Sequence, residues 1–286
     1  MAGRAGDSLR ALAMGGLRGG ESVQPMVVRV VVPSRKRENS DIVNDANVLL
    51  DPDASAEEVL KSLRRLAALA KSPKFVQGGS KAATPVIKAV LSIIRSRSSP
   101  SDESVLLAVL ETLTVFCKAV KGAAIIMRLE GGLPYVISLI THHIKRTSFQ
   151  RAGFVCLAAL ASSPQNAIAI IKAGALQAVL AVLNDKETKY LGADSMDAAM
   201  LALNLLSTCI KSTEGCLPLL GTLAAMQAVV NAIYARVGNK RVVTAATELL
   251  FLVVKRYTSE DVTEAMMLRY SDKVQEIVMR PSATCV

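Results

Sequence analysis

The sequence predicts an all-α solenoid, a stack of three-helix repeats along one continuous core, and three observations carry that prediction. Residues Phe149 to Asp185 hold two apolar helical patterns around a short one, with no strand signal between them. An L-x-x-L pair recurs at Leu63/Leu66, Leu110/Leu113, Leu157/Leu160, Leu203/Leu206 and Leu249/Leu252, at offsets of 47, 47, 46 and 46 residues. The composition is 51% hydrophobic but only 3% aromatic, with no Trp, which suits layered Ala, Leu and Val helices better than a β-sandwich or an aromatic-lined cofactor pocket. A unit of this length buries its apolar stripe only against copies of itself, and at least about three are needed for stability. The 286 residues accommodate four full repeats with a partial unit at each end.

The helical assignment within Phe149 to Asp185 rests on spacing. Phe154, Leu157, Leu160 and Ala161 fall three or four apart or adjacent, as do Ile168, Ile171 and Lys172, then Leu176, Val179, Leu180 and Leu183, so each segment turns one stripe inward. Ser163-Pro164 starts the short helix and Gly174 ends it, in the positions where Pro and Gly usually punctuate helices.

The remaining elements follow in chain order. Residues 1–53 differ from the rest and read as a flexible or disordered N-terminal segment. It holds a Gly- and Arg-rich head that weakly resembles a mitochondrial transit peptide, the strand-like run Val27 to Val32, and a basic Ser34-Arg-Lys-Arg cluster. The solenoid is expected over 54–280. Asp and Ser caps over Asp53 to Ser55 precede a first helix whose opening turn carries Glu57 and Glu58, favourably placed at the positive end of the helix dipole. That helix, Ser55 to Lys71, acts as a starting third helix. Full units follow over Pro73–Lys118, Lys121–Ser162, Pro164–Lys211 and Thr213–Arg256, and a charged partial unit, Ser259–Met279, closes the stack. Polar links at Arg95–Asp102 and Lys186–Asp194 mark uneven loops, and 281–286 is a flexible tail.

These motifs resemble those of the armadillo repeat family: a short helix after Asn or Ser-Pro, a Gly-x-Leu-x-x-Val-x-x-Leu-Leu helix, and a long A-x-x-x-L-x-x-L helix. The second helix shows the pattern at Gly131-Gly-Leu-Pro-Tyr-Val-Ile and at Gly174-Ala-Leu-Gln-Ala-Val-Leu, and Met226-Gln-Ala-Val-Val-Asn repeats it. HEAT-like helical repeats share the same general plan. The resemblance covers roughly Ala54 to Val278 and implies a right-handed solenoid whose third helices line a concave groove. In the nuclear-import receptors of that family, an Asn just before the second Leu binds peptide backbone and a Trp one turn earlier stacks on basic side chains. Here the first position reads Arg65, Thr112, Ala159, Leu205 and Phe251, and the earlier one Lys61, Ala108, Val155, Leu201 and Thr247, so neither ladder is present. Asn204 lies one residue early and would face about 100° away from the Asn position.

Charge and thiols narrow the function. The formal charge of +10 is concentrated at the N-terminal end of the repeats, where 54–100 carry nine Lys or Arg against two Glu. Five cysteines without a Cys-x-x-Cys pair fit a reducing compartment, and the cytoplasm is the expected location, with nucleus and mitochondrion as alternatives. No uncharged apolar run reaches the roughly 18 residues of a membrane span, so no transmembrane segment is expected. His142 and His143, the only histidines, are neighbours pointing about 100° apart on a helix and cannot form a facial metal pair. No phosphate-loop, dinucleotide or nucleophile-elbow motif occurs, and no catalytic, cofactor-binding or metal residue is assigned.

The reading that results is a non-catalytic scaffold or adaptor that holds a protein segment, acidic or amphipathic, along the groove. The partner-binding residues assigned to it are Lys61, Arg64, Arg65, Thr112, Leu205 and Phe251. The alternative is an electrostatic binder of nucleic acid or acidic lipid through the basic N-terminal end, nucleic acid being the less expected partner. Thr284-Cys285-Val286 also matches the ending that PDZ domains read by strand addition and carboxylate capture.

Overall fold

The computed structural model describes residues 38–96, 102–184, 193–216, 223–236 and 238–256. The chain divides into Met1–Val31 and Val32–Val286, and all described residues belong to the second unit. They are helical with no strand among them. The expected strand-like run, basic cluster, closing partial unit and C-terminal tail lie outside the described residues.

Helix α1 spans Glu38–Leu50, α2 Ala56–Leu69, α3 Pro73–Ser96, α4 Glu103–Ala119, α5 Ala123–Leu129 and α6 Gly132–His142. Then come α7 Thr147–Leu160, α8 Pro164–Ile170, α9 Leu176–Asn184, α10 Ala193–Ser212, α11 Leu223–Ala235 and α12 Lys240–Arg256. The order repeats: short first helix, second helix, long third helix. First and second helices run into one another at a glycine with left-handed backbone, Gly79 in α3 (φ 56°), Gly131 before α6 (φ 70°) and Gly174 between α8 and α9 (φ 102°), a conformation that L side chains adopt only with strain. These bends make an armadillo-like unit from what would otherwise be two-helix hairpins.

Two layers result. Third helices α2, α4, α7, α10 and α12 pack in succession, and second helices α1, α3, α6, α9 and α11 form the other layer. The third helices run parallel and nearly in register, as three links at different heights show. Arg241 of α12 pairs with Asp197 of α10 (3.1 Å), Thr112 Oγ1 of α4 donates to the Leu63 carbonyl of α2 (3.4 Å), and Ser212 Oγ of α10 donates to the Ala161 carbonyl just past α7 (2.6 Å). Both leucines of each L-x-x-L pair are buried in the first four third helices, and Leu249 is buried in α12 while Leu252 is half-buried.

Helical structure begins earlier than Ala54, where the sequence places the solenoid's start. Helix α1 buries Ile42, Ala46 and Leu49, and its Asp45, itself buried, accepts from Arg65 Nη1 at 3.3 Å. The i, i+4, i+7 pattern is present in the sequence, but Asn39, Asp41, Asn44, Asp45 and Asn47 are poor helix formers and obscure it. Of the cap positions expected over Asp53 to Ser55, Ser55 takes the role and forms a full box: Glu58 N donates to Ser55 Oγ (3.3 Å) and Ser55 N donates to Glu58 Oε2 (2.9 Å). Those bonds from Ser55 hold the Glu58 carboxyl below its ordinary pKa.

Pro164–Asn184 forms one helical run of 21 residues, long and apolar enough to cross a membrane. It is broken at Gly174, and its apolar face packs among α7, α10 and α11.

The described cysteines are packing residues. Burial pushes the Cys156 thiol up to about 12, against smaller downward pulls from Thr114 and Lys118, and burial also raises Cys117. Unfolded thiols ionise near 9, so the unfolded chain sheds a proton there that folded Cys156 keeps, and its stabilising contribution falls as pH rises from about 9 towards 12. Denaturation midpoints at pH 8 and pH 10.5 are expected to differ less in Cys156→Ala than in the native chain; an unchanged difference would remove the thiol from the account.

Candidate groove on the third-helix layer

The outward face of the third-helix layer is set by which residues the neighbouring helices cover. Helix α10 buries Ala198, Ala199, Ala202, Leu203, Leu205, Leu206, Cys209 and Ile210, which leaves Asp197, Leu201, Asn204, Thr208 and Lys211 as a stripe at i, i+4, i+7, i+11 and i+14. The same positions on α4 are Ser104, Ala108, Glu111, Val115 and Lys118, and around α2 they are Glu57, Lys61, Arg64, Ala68 and Lys71. On α7 they begin with Arg151, Val155 and Ala158. None of these residues is buried.

An open groove of about 790 Å³ crosses this face. Its floor is Leu107 and Val115 from α4, Ala152 and Val155 from α7, and Met200 and Leu201 from α10. Charge lies around that floor: Glu111 on α4, Arg151 on α7, and the Asp197–Arg241 pair that closes the α12 side. The groove is therefore an apolar trough with charged groups along its edges.

The six residues assigned from the sequence are distributed differently. Lys61 and Arg64 are exposed on the outward face of α2. Arg65 is exposed too but is engaged by Asp45. Thr112 and Leu205 are buried and cannot meet a partner in this fold; Thr112 spends its hydroxyl on the carbonyls of Ala108 (2.7 Å) and Leu63 (3.4 Å). Phe251 is 65% exposed, off the buried stripe of α12. None of the six lines the groove. Asn204, set aside in the sequence reading, is exposed on the groove-bearing face, one turn beyond Leu201 and Met200. Val155 and Leu201 do line the groove, one turn before Ala159 and Leu205 in their helices.

The basic N-terminal end is partly consumed by internal contacts. Lys88 pairs with Glu130 (3.3 Å), and Arg95 donates to the Glu130 carbonyl (3.0 Å) with its guanidinium 5.1 Å from the Tyr135 ring centroid. Both histidines sit at the end of α6, His142 exposed and His143 half-buried: His142 Nδ1 contacts the Ser138 carbonyl (2.8 Å), and His143 stacks on buried Phe149 with centroids 4.0 Å apart. Among the described residues no three His, Cys, Asp or Glu side chains converge as a metal site requires.

No protein-family model and no curated protein matches the chain significantly. Solved structures do show similarity. The crystal structure of an engineered protein is 17% identical, covers 82% of this chain and 99% of its own, and gives a TM-score of 0.47. A designed armadillo repeat protein in complex with the peptide (KR)4 is 17% identical over 82% of this chain and 98% of its own, at 0.44. A second designed armadillo repeat protein is 16% identical, again over 82% and 98%, at 0.44.

Proposed function

We propose that this protein is a non-catalytic scaffold whose third-helix face holds a segment of another protein. The observation that supports the reading is the apolar trough of Leu107, Val115, Val155, Met200 and Leu201, drawn from three neighbouring helices and bordered by charge. These side chains are each only half-buried, and apolar surface contributed jointly by three neighbouring helices is of the kind that marks an interaction site. Anchors of this kind contribute about 1 to 3 kcal/mol each when covered. Two of the bases behind the alternative, an electrostatic nucleic-acid or lipid surface at the N-terminal end, are drawn into contacts with Glu130. The cytoplasm is the proposed location.

The test is site-specific photo-crosslinking in cells that express the protein, with the probe at Val155 or Leu201 and, as control, at Gln177 on the second-helix layer. Discrete polypeptide adducts are expected from the first two positions and not from Gln177, and Met200→Asp is expected to reduce them at least about tenfold. Identical adducts from Gln177, or adducts only to nucleic acid or lipid, would overturn the reading.

A further inference from the structure

The outward stripe changes character across the layer, from one end of the third helices to the other. At the N-terminal edge it carries Glu57, Arg151 and the Asp197–Arg241 pair; in the middle it is the apolar trough on α4, α7 and α10, with Lys61 and Arg64 beside it on α2; at the C-terminal edge it carries Lys71, Lys118 and Lys211. These three lysines occupy the same position eight residues beyond the first Leu of their respective L-x-x-L pairs. Because the third helices are parallel and nearly in register, equal positions fall on one edge. All three are exposed, and none of their ammonium groups takes part in an ion pair or hydrogen bond among the described residues, Lys118 acting on Cys156 only through its charge. Lys118 and Lys211 stand in the last turns of their helices and Lys71 just past the end of α2, places that suit a lysine through the helix dipole, but that accounts for a base at any position around the turn, not for three on the groove face.

We infer that the partner segment is an amphipathic helix with one acidic edge, lying across the third helices with its apolar stripe in the trough and its carboxylates against Lys71, Lys118 and Lys211. Spacing favours a helix over an extended strand. Packed helices lie about 8–10 Å apart, so Lys71 and Lys118 are one such step apart and Lys118 and Lys211 two. A helix advances about 10.5 Å in seven residues and returns to nearly the same face, whereas three residues of extended chain cover about that distance and present the opposite face. Crossing from α2 to α10 takes about 24–30 Å, the length of a helix of about 16–20 residues. This inference rests on the scaffold reading above and adds the chemistry and the orientation of what the groove holds.

The test uses three synthetic helical peptides of about 20 residues with a common apolar stripe and Glu, Gln or Lys at heptad spacing along one edge. Binding is followed by fluorescence anisotropy at physiological salt. The full chain is compared with a Lys71→Glu/Lys118→Glu/Lys211→Glu variant and with a charge-matched control, Lys81→Glu/Lys145→Glu/Lys172→Glu, each confirmed helical by circular dichroism. The native chain is expected to bind the Glu peptide more tightly than the Gln peptide and the Lys peptide least. The edge variant is expected to lose at least about tenfold for the Glu peptide while the control does not, since three reversed surface pairs add up where one would scarcely register. Equal binding of the Gln peptide to the native chain and the edge variant, lost with Leu201→Asp, would discard the acidic edge and leave the groove. Failure of every peptide would overturn the inference. Phosphatidylserine vesicles or single-stranded DNA that bind the native chain and not the edge variant, with no peptide discrimination, would overturn it in favour of an electrostatic surface.

Discussion

Gly153→Ala is expected to destabilise the protein by about 3 kcal/mol, at the upper end of ordinary overpacking. A methyl group built at Gly153 on α7 falls 2.2 Å from Ile140 Cγ1 and 2.6 Å from Ile140 Cδ1 on α6. Real carbon atoms do not approach that closely, and Ile140 is itself fully buried, so either its side chain leaves its rotamer or the two helices separate. The cost should reach beyond the site, because α7 packs on α4 and α10 as well as α6. The check is a chemical-denaturation double-mutant cycle with Ile140→Ala: the pair is expected to recover stability relative to the sum of the single variants. Strict additivity would show that the close approach is relieved elsewhere.

Asn166→Ala is expected to cost a similar amount, about 3 kcal/mol, through lost hydrogen bonds. Asn166 is fully buried at the start of α8. Its Nδ2 donates to the Ala124 carbonyl of α5 (2.7 Å) and the Leu160 carbonyl of α7 (3.1 Å), and its Oδ1 accepts from Arg128 Nε (2.9 Å). Alanine leaves two carbonyls short of a donor in a buried site and removes the acceptor that Arg128 uses, and unsatisfied groups cost more than a hydrogen bond returns. Amide hydrogen exchange should rise first in α5, α7 and α8, with α1, α2 and α12 little changed. Uniform loss of protection along the chain would show that the repeats unfold as one unit.

Sequence spacing makes the helices legible because burial on both flanks forces regular apolar periods. It leaves the rotation of each third helix open by about one residue. An L-x-x-L pair fixes two buried directions, and the residues just after its first Leu and just before its second lie symmetrically about them. In α10 those are Asn204 and Leu205. What separates them is Ala202 and Cys209, both buried, which shift the covered arc towards Leu205 and leave Asn204 outside. In α4 the corresponding residues Val109 and Phe116 do the same for Thr112 and Glu111. Alanine and cysteine pass as either core or surface in a sequence, so in α10 the outward position 204 reads only once neighbouring helices show which flank they cover, whereas Val109 and Phe116 already mark the covered flank of α4. The basic N-terminal cluster was equally visible as charge; its division between internal contacts and open surface depends on partners such as Asp45 and Glu130, 20 and 35 residues away from the bases they engage.

The polar links between repeats have a mechanical meaning. The Thr112 bond to Leu63, the Ser212 bond to Ala161, the Asn166 bond to Ala124 and the bonds from Arg236 to Leu183 and Val182 each join one unit to the next. A load drawn along the stack is thus carried in series, as in a chain of separate couplings, and the weakest coupling yields while those on either side still hold. A partner lying across several third helices would bridge couplings that the backbone leaves independent, acting as a splint as well as a passenger.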